Sequence, residues 1–311
     1  MLSFSILVTC EPMKGKRAVL NGKSVSISDM DRHALTAEKE TLFIPLCAKA
    51  LDYRAKKSIL KDSQANRIVA QAGIDVRKYG STLNIITVIR ACQLDEWVKA
   101  FLSTHDQAVV VYLGCGLDTR ITRIPLPALS VWFDIDYPEV IALRQNFFTE
   151  HDHYRMIGSS ITSAQWLEQI PADKPVLIIA DGVLEYLSDQ EVHALFKRII
   201  NHFAGGQIIF DVMSREAIQS GNKKMKHTIG AVLKWSVDHE EDIDRIDERL
   251  KRLDMISVFK TAYMKQLPLK IRIICGILTW FPKSYQMMQL VRCTFKSDKP
   301  RRAAGTKAEV L

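Results

Sequence analysis

The residues with the clearest chemical potential in this chain follow two apolar segments. The run 109–113 leads into Gly114 and Gly116, and a second strand-like run further along ends at Asp136. Glycines after a strand let the backbone turn sharply and let a ligand approach closely, because they carry no Cβ. A carboxylate at the end of the next strand is well placed to accept hydrogen bonds from a ribose diol. The pattern predicts a site for a nucleoside-containing cofactor.

The glycine turn also indicates which kind of cofactor it holds. The third glycine of dinucleotide-binding turns is missing, and Asp118 stands in its place. A fixed negative charge beside a diphosphate is unfavourable. The turn therefore favours a cationic ligand such as S-adenosylmethionine, which carries a sulfonium and an ammonium group, over the dinucleotide of an oxidoreductase.

The elements that position these residues alternate between helical and strand-like patterns. A long amphipathic helix is predicted from Leu83 to Leu102, ahead of the glycine turn. Apolar runs after the turn predict a mostly parallel α/β sheet with its ligand at the carboxyl ends of the strands. The remaining predictions are helices at 35–57, 62–72, 138–148, 190–203 and 240–253, and strands at 130–135, 154–158, 175–180, 207–212, 255–260 and 291–295.

Three blocks of the sequence resemble one protein family. They are residues 113–120, 132–140 and 180–187, and together they resemble the leucine carboxyl methyltransferase family, with its bacterial branch of polyketide-type O-methyltransferases. The resemblance extends from about Leu35 to about Phe295. It implies a class I methyltransferase fold: α/β, Rossmann-like, with a doubly wound, mostly parallel seven-stranded sheet, N-terminal helices over the cofactor site and an inserted helical lid.

For the site, the resemblance implies that Gly114 and Gly116 form the turn at the cofactor and that Asp136 binds its ribose. The residues themselves leave Asp134 open as the ribose ligand, because side chains two apart on a strand share a face. Many relatives carry an acidic residue after the third strand, where it contacts the adenine amine. This chain departs from them with Ser160, whose hydroxyl could still hydrogen-bond to adenine.

Two further cofactor-binding residues follow from the resemblance. Arg90, on the helix before the turn, would hold the carboxylate of the methionine part, and a guanidinium suits a bidentate grip on a carboxylate. Asp181, after the fourth strand, would lie near the amino group and the sulfonium. From the residues alone, Arg90 is equally an ion-paired arginine in an apolar helix. Asp181 has a turn residue as its alternative, but its position at the end of a central strand favours a functional role.

Composition narrows the functional class. The chain has 47% hydrophobic and 25% charged residues, which is ordinary for a globular protein, and a formal charge of +8. No basic stripe interleaved with aromatic residues supports nucleic-acid binding. The six cysteines form no CxxC pair, which predicts reduced thiols, no metal site and a cytoplasmic location. The apolar run 271–281 is too short to span a membrane, so no membrane partner is expected.

The domain organisation follows from the same patterns. Residues 1–30 show no periodicity and are expected to be a mobile leader. Residues 31–296 are expected to form a single methyltransferase domain with a lid at about 221–250, and residues 297–311 to form a disordered tail. The sequence does not indicate an oligomeric state.

The predicted function is S-adenosylmethionine-dependent O-methyl transfer to a small, polyketide-like acid. A carboxylate acceptor is already ionised at pH 7, whereas a phenol would benefit from a general base. No histidine lies within the three family blocks. The predicted acceptor is therefore a small molecule with a carboxylate or an acidic hydroxyl, and no catalytic residue is assigned. The alternative is a non-catalytic S-adenosylmethionine-binding or scaffold protein of the same fold.

Overall fold

The computed structural model describes residues 41–79, 84–225, 232–278, 280 and 286–297. The predicted leader 1–30 lies outside the described residues, and so does the predicted tail except for Ser297. Within the described chain, none of the helices combines the length and the apolar character needed to cross a bilayer.

The described strands form one sheet in the order β3-β2-β1-β4-β5-β7-β6. Strands β1 to β5 pair in parallel, and β7 runs antiparallel to both of its neighbours, β5 and β6. This confirms the predicted doubly wound, mostly parallel seven-stranded sheet. The strands are β1 Val109–Leu113, β2 Val131–Asp136, β3 Tyr154–Gly158, β4 Val176–Ala180, β5 Gly205–Met213, β6 Leu250–Ser257 and β7 Met288–Lys296.

The described helices cover the sheet, and two of them begin at residues typical of helix N-caps. Asp62 caps the second helix through a 2.9 Å bond from Ala65 N, and Ser188 and Glu191 form a capping box at the seventh. The helices are α1 Phe43–Arg54, α2 Ser63–Gln71, α3 Val76–Tyr79, α4 Asn84–Leu102, α5 Arg120–Arg123, α6 Pro138–Arg144, α7 Asp189–His202, α8 Arg215–Met225, α9 Glu240–Asp244 and α10 Leu269–Leu278.

The core lies on both faces of the central strands. Every residue of β1 and β4 is buried, as their wholly apolar sequences predict for the middle of a parallel sheet. Val109 and Val111 pack with α7 residues such as Phe196, whereas Val110 packs with α4 residues such as Trp97. Successive side chains of β1 point to opposite faces of the sheet and therefore pack against both helical layers.

The last two strands return the chain to the edge of the sheet where the cofactor residues were predicted. Because β7 is antiparallel to its neighbours, β6 runs in the same direction as β1 to β5. The end of β6 at Ser257 pairs beside Gln289, near the start of β7. The intervening segment 258–287, which contains α10, therefore leaves and re-enters at the carboxyl ends of the parallel strands.

Two predicted helices are wrong in their extent. The predicted helix 240–253 ends at Asp244, and β6 begins at Leu250. Strand β6 is an edge strand, where charged side chains remain solvated, so its charges resemble those of an exposed helix. The predicted helix 138–148 ends at Arg144, where the Asn146 side-chain amide donates to the carbonyls of Ala142 and Leu143, each at 3.1 Å.

Candidate functional site

The glycine turn after β1 adopts backbone conformations that favour glycine. Gly114 and Gly116 have φ values of +63° and +50°. Gly114 N donates to the Ile135 carbonyl at 2.8 Å, which ties the turn to the end of β2. A Cβ on Gly114 would lie 2.7 Å from Val183 Cβ, in the loop after β4. The turn is thus held between the carboxyl ends of β2 and β4.

Asp136 lies directly beside this turn. Its Oδ2 accepts a hydrogen bond from Gly116 N at 2.8 Å, and its Oδ1 accepts one from Tyr137 N at 2.8 Å. Burial raises the pKa of Asp136 to about 6, although both amides favour the ionised form. The carboxylate is oriented by backbone amides at the tip of β2.

Asp134 has a different environment, although it is on the same strand. This carboxylate is fully buried and accepts bonds from Arg144 Nη2 at 2.5 Å, Tyr154 Oη at 2.6 Å and Trp132 Nε1 at 2.8 Å. Its hydrogen-bonding capacity is used inside the protein. Of the two carboxylates that the sequence left open, Asp136 is the one at the glycine turn.

Arg90 and Asp181 meet at the carboxyl end of β4. Arg90 Nη1 donates to Asp211 Oδ2 at 2.8 Å, and Arg90 Nε lies 2.6 Å from Asp181 Oδ1 without the alignment of a hydrogen bond. Gly182 has a φ of +72°, and a Cβ there would lie 2.8 Å from Arg90 Nη2. The glycine after Asp181 therefore makes room for the guanidinium.

A second arginine, which the sequence did not identify, holds the other oxygen of Asp181. Arg120 Nη2 donates to Asp181 Oδ2 at 2.8 Å, and Arg120 Nε donates to Asp95 at 2.6 Å. Burial alone would raise the pKa of Asp181, but Arg90 and Arg120 hold it below its usual value. Asp181 is therefore ionised and rigidly placed.

The environment of Asp118 differs from the one that the sequence led us to expect, in which its charge selects a cationic ligand. Its carboxylate is buried and pairs with Lys49, Arg123 Nη1 at 3.2 Å and Tyr112 Oη at 3.0 Å. Burial opposes ionisation, but Lys49 and Arg123 keep the pKa of Asp118 well below its usual value. Because this charge is compensated within the protein, Asp118 alone does not select a cationic ligand.

Among the described residues, the buried ionic cluster contains one more carboxylate than basic side chain. It joins four cations, Lys49, Arg90, Arg120 and Arg123, to five carboxylates, Asp62, Asp95, Asp118, Asp181 and Asp211. S-adenosylmethionine carries a sulfonium, an ammonium and a carboxylate, and so has a net positive charge. The cluster complements that charge when all five carboxylates are ionised, which burial opposes at Asp211 by raising its pKa.

Three buried polar atoms of this cluster have no hydrogen-bond partner among the described residues. They are Arg90 Nε, Asp181 Oδ1 and Arg120 Nη1. Two of these atoms, Arg90 Nε and Asp181 Oδ1, face each other at 2.6 Å as an ion pair, so their charges compensate each other. An arginine and a carboxylate side by side fit a ligand that offers both a carboxylate and an ammonium, as the methionine part of the predicted cofactor does.

Ser160 lies apart from the arginine cluster. It follows β3, and its hydroxyl is 2.8 Å from Thr162 Oγ1 within its own turn. The preceding Ser159 N donates to the Asp136 carbonyl at 2.8 Å, so this turn adjoins the end of β2. Ser160 is therefore near the Asp136 end of the site, and no described contact joins it to Arg90 or Asp181.

Glu185 is a further acidic group that the sequence analysis left without a role. It lies on the 3-10 turn Leu184–Tyr186, and its side chain is buried. Burial and the neighbouring Asp211 raise its pKa to about 8. The sequence signal for a role of Glu185 was its position in the third family block. The corresponding signal for Asp211 was its position near the end of the apolar run 207–212.

The described part of the predicted lid packs beside Glu185. The Glu185 carbonyl accepts from Lys234 N at 2.6 Å and Trp235 N at 3.2 Å. Leu233, Trp235 and Val237 are buried. Lys226 and the other residues of 226–231 lie outside the described residues. The described residues contain no group of histidine, cysteine, aspartate or glutamate arranged to hold a metal ion.

Comparisons with known proteins find methyltransferases that are similar in sequence. Residues 43–200 match the sequence profile of leucine carboxyl methyltransferase. The tetracenomycin polyketide synthesis O-methyltransferase TcmP of Streptomyces glaucescens is 34% identical, over 71% of this chain and 85% of that protein. The S-adenosyl-L-methionine-dependent methyltransferase dpfgK of Gibberella zeae is 29% identical, over 71% and 82%.

Among solved structures, a candidate methyltransferase from Thermobifida fusca has a similar fold. The TM-score is 0.54, and the alignment covers 86% of this chain and 98% of that one at 12% sequence identity. At this identity the likeness concerns the fold alone. It agrees with the class I methyltransferase sheet described above.

Proposed function

This chain belongs to the leucine carboxyl methyltransferase family and is an S-adenosylmethionine-dependent methyltransferase, and from that premise we propose that it methylates an oxygen atom of a small metabolite. The relative TcmP, named as an O-methyltransferase of polyketide synthesis, supports oxygen as the acceptor atom. The acceptor in this proposal is a polyketide-like acid or an acidic hydroxyl compound. The bound cofactor supplies an electrophilic methyl group on its sulfonium, and the protein supplies binding and orientation.

In this proposal the residues around the glycine turn hold the nucleoside. Gly114 and Gly116 allow the cofactor to approach the backbone, and Asp136 accepts hydrogen bonds from the ribose. The amides of Gly116 and Tyr137 leave each oxygen of Asp136 with a further lone pair for this purpose. Ser160, next to this end of the site, is the proposed adenine contact.

Arg90 and Asp181 bind the methionine part in the same proposal. The Arg90 guanidinium would donate to the carboxylate of the cofactor, Asp181 would accept from its ammonium, and the 2.6 Å ion pair between Arg90 Nε and Asp181 Oδ1 would open to admit them. Arg120 holds the other oxygen of Asp181 at 2.8 Å and keeps this carboxylate in place. The buried Arg90–Asp181 pair at the carboxyl end of β4 is the observation that carries the assignment of this site.

The domain organisation is also part of the proposal. Residues 31–296 form one methyltransferase domain, and residues from about 221 to 250 cover the acceptor. The contacts of Lys234 and Trp235 with Glu185 support this role, because they bring that segment against the turn that follows β4.

Glu185 makes a hydroxyl acceptor chemically reasonable alongside a carboxylate. A carboxylate acceptor needs no general base, whereas a hydroxyl must lose a proton as the methyl group is transferred. With a pKa of about 8, the Glu185 carboxyl is mostly protonated at neutral pH, and its ionised fraction, which grows as pH rises toward 8, can take that proton. The choice between the two acceptors therefore depends on whether Glu185 is needed for turnover.

The test is methyl transfer from labelled S-adenosylmethionine to panels of small carboxylic acids and phenols. We expect a methylated product, either a base-labile ester or a base-stable ether, and S-adenosylhomocysteine in equal amount. Glu185→Gln should abolish ether formation and spare ester formation. Calorimetric binding of S-adenosylmethionine without turnover on either panel would favour the non-catalytic alternative.

A further inference from the structure

The helix α10 presents an apolar stripe to solvent. With about 100° of rotation per residue, its exposed apolar residues and the tryptophan just beyond it fall on one side. Monomeric proteins rarely expose large apolar side chains in a continuous group without a partner. The residues are Leu269, 67% exposed, Ile273, 55% exposed, Ile277, 50% exposed, and Trp280, 83% exposed.

The opposite side of α10 fixes the helix to the protein. Cys275 is buried and Ile271 is partly buried in a cluster with Ile86, Ile89 and Val258. Since this other side of α10 packs on the protein, the exposed stripe is the outer side of a correctly packed helix. A fixed helix with an apolar outer side is suited to contact a second, separate apolar phase.

Basic residues accompany this stripe. Between residues 255 and 297 the chain has seven lysines and arginines and no aspartate or glutamate. On α10 itself, Lys270 and Arg272 lie on either side of the apolar stripe, and both are exposed. Lys265 is also exposed just before the helix. Within its own segment, the charged residues beside the described apolar surface are all cations; an acidic group that reaches this segment from another element is Glu96 of α4, which bonds to Tyr263.

We propose that this surface, Leu269, Ile273, Ile277 and Trp280 with Lys270 and Arg272, docks the protein on an anionic phospholipid membrane. Apolar residues with tryptophan, flanked by lysine and arginine, are the composition of helices that lie in a membrane interface. A helix lying in the plane of the interface needs no spanning length. Docking of this kind therefore agrees with the lack of a spanning helix among the described residues.

The charges favour a lipid surface over a second copy of this chain. A second copy would bring the same cations to the contact, and like charges across an interface are unfavourable. Lysine is also depleted at protein–protein interfaces. Anionic headgroups would instead pair with Lys270 and Arg272 while the acyl region receives the apolar stripe.

Docking through α10 would place the cofactor site next to the lipid. The segment 258–287 leaves and returns at the carboxyl edge of the sheet, and its residues pack with Ile86, one turn before Arg90, and with Ile89, the residue directly before it. One consequence, that the acceptor would enter the site from the membrane, rests on the proposed function. The docking itself is independent of the acceptor.

Tryptophan fluorescence of the full chain measures the docking directly. Of the five tryptophans, Trp97, Trp132, Trp166 and Trp235 are buried, so a change on lipid addition reports Trp280. The probes are vesicles of phosphatidylcholine alone and vesicles containing one quarter phosphatidylglycerol. We expect a blue shift, quenching by brominated acyl chains and co-sedimentation with the anionic vesicles only.

Variants separate the two parts of the surface. Ile273→Ser with Ile277→Ser should weaken binding to anionic vesicles by at least tenfold. Lys270→Gln with Arg272→Gln should weaken it by about fivefold for each charge removed. Matched controls are Leu129→Ser, a 56% exposed residue in the loop before β2, and Lys56→Gln with Lys57→Gln, two exposed lysines after α1; these should bind like the parent. S-adenosylmethionine binding should be unchanged in every variant, which keeps this test separate from that of the proposed function.

Three outcomes would overturn the proposal. The first is no binding to the anionic vesicles, and the second is binding that the control lysine changes reduce as much as the α10 changes do. The third is a chain that is a dimer in solution and becomes a monomer when Ile277 is replaced by serine, which would make the stripe an interface between copies.

Discussion

Arg90 on α4 and Asp211 on β5 form a buried ion pair, with Nη1 and Oδ2 2.8 Å apart, across 121 positions of the chain. The other oxygen of Asp211 accepts from Gly182 N at 2.7 Å. One carboxylate thus fixes both the arginine proposed to hold the cofactor carboxylate and the turn that follows Asp181. Asp211 is a positioning residue in this arrangement, because it holds the Arg90 guanidinium and the Gly182 amide at the same time.

The first prediction concerns this pair. Asp211→Asn keeps an oxygen for Gly182 N but removes the charge that orients Arg90. We expect S-adenosylmethionine to bind at least tenfold more weakly, which corresponds to about 1.4 kcal/mol. Calorimetric titration measures this change. Asp189→Asn, at an exposed residue on α7, is the control and should bind like the parent.

Asp211→Glu provides a further check on the positioning role. A longer carboxylate restores the charge but not the distance to both partners. Partial recovery of affinity relative to Asp211→Asn is expected. Equal affinity of Asp211→Asn and the parent would mean that Arg90 does not depend on this pair for cofactor binding.

The second prediction separates the two carboxylates of β2. Asp136→Ala should weaken S-adenosylmethionine binding by at least tenfold and leave the unfolding midpoint nearly unchanged, because its protein partners are backbone amides at the strand end. Asp134→Asn should lower the free energy of unfolding by about 3 kcal/mol, because it leaves the buried Arg144 charge without its partner.

Urea unfolding and calorimetry on both variants give the comparison. We expect Asp136→Ala to lose mainly cofactor affinity and Asp134→Asn to lose mainly stability. A strong loss of stability in Asp136→Ala, or cofactor binding lost in Asp134→Asn at unchanged stability, would contradict the assignment of the ribose contact to Asp136.

The third prediction concerns Gly114. Gly114→Ala places a Cβ 2.7 Å from Val183 Cβ at a φ of +63°, so the turn or Val183 must move. Gly73→Ala is a matched control, because Gly73 has the same φ of +63° but open space around the added carbon. Both should lose about 1 kcal/mol of stability from backbone strain. Only Gly114→Ala should lose more stability than this, and it should also bind the cofactor more weakly.

A second-site change tests the cause. Val183→Ala removes the methyl groups nearest the added carbon, so the double variant should recover part of the stability that Gly114→Ala loses beyond Gly73→Ala. Thermal unfolding of the set measures this recovery. Its absence would place the cost of Gly114→Ala elsewhere in the turn.

The fourth prediction concerns pH. Burial and Asp211 raise the pKa of Glu185 from 4.5 to about 8 in the folded protein. Between these two pH values the folded state binds more protons than the unfolded state, so stability falls as pH rises. The cofactor-free protein should therefore lose stability from pH 5 to pH 8, and Glu185→Gln should flatten that dependence.

Urea midpoints at a series of pH values measure this slope. Glu241→Gln, at an exposed residue of α9, is the control and should keep the parent slope. The same slope in Glu185→Gln and the parent would show that Glu185 does not titrate in this range.

The sheet and the glycine turn were predictable because their signals are local. An apolar run followed by glycine or aspartate marks a strand end within a few residues, and β1, β3 and β4 lie where those runs are. The extent of β6 was not predictable in this way. Its alternating charges are stabilised by its position at the edge of the sheet and by the Asp254–Arg292 pair with β7, neither of which is visible locally.

The ionic cluster was not predictable because its members are far apart in sequence. Lys49 and Asp118, for example, are separated by 69 positions. A single arginine in an apolar helix shows that a partner exists but not which carboxylate it is. The resemblance supplied Arg90 and Asp181. Arg120 ends the first sequence block and Asp211 lies near the end of the fifth apolar run, but their ion pairs form only when α4, α5, β4 and β5 are packed together.

Strand β7 has a consequence for how this protein can change over evolution. Strand β7 lies between β5 and β6, and its pairing joins, for example, Gly205 to Lys296 and Leu250 to Phe295. This pairing does not depend on the residues that connect β6 to β7. The segment 258–287 can therefore lengthen, shorten or be exchanged while the pairing of the sheet is kept. We expect descendants of one ancestral fold to diverge fastest between these two strands and slowest in β1 and β4.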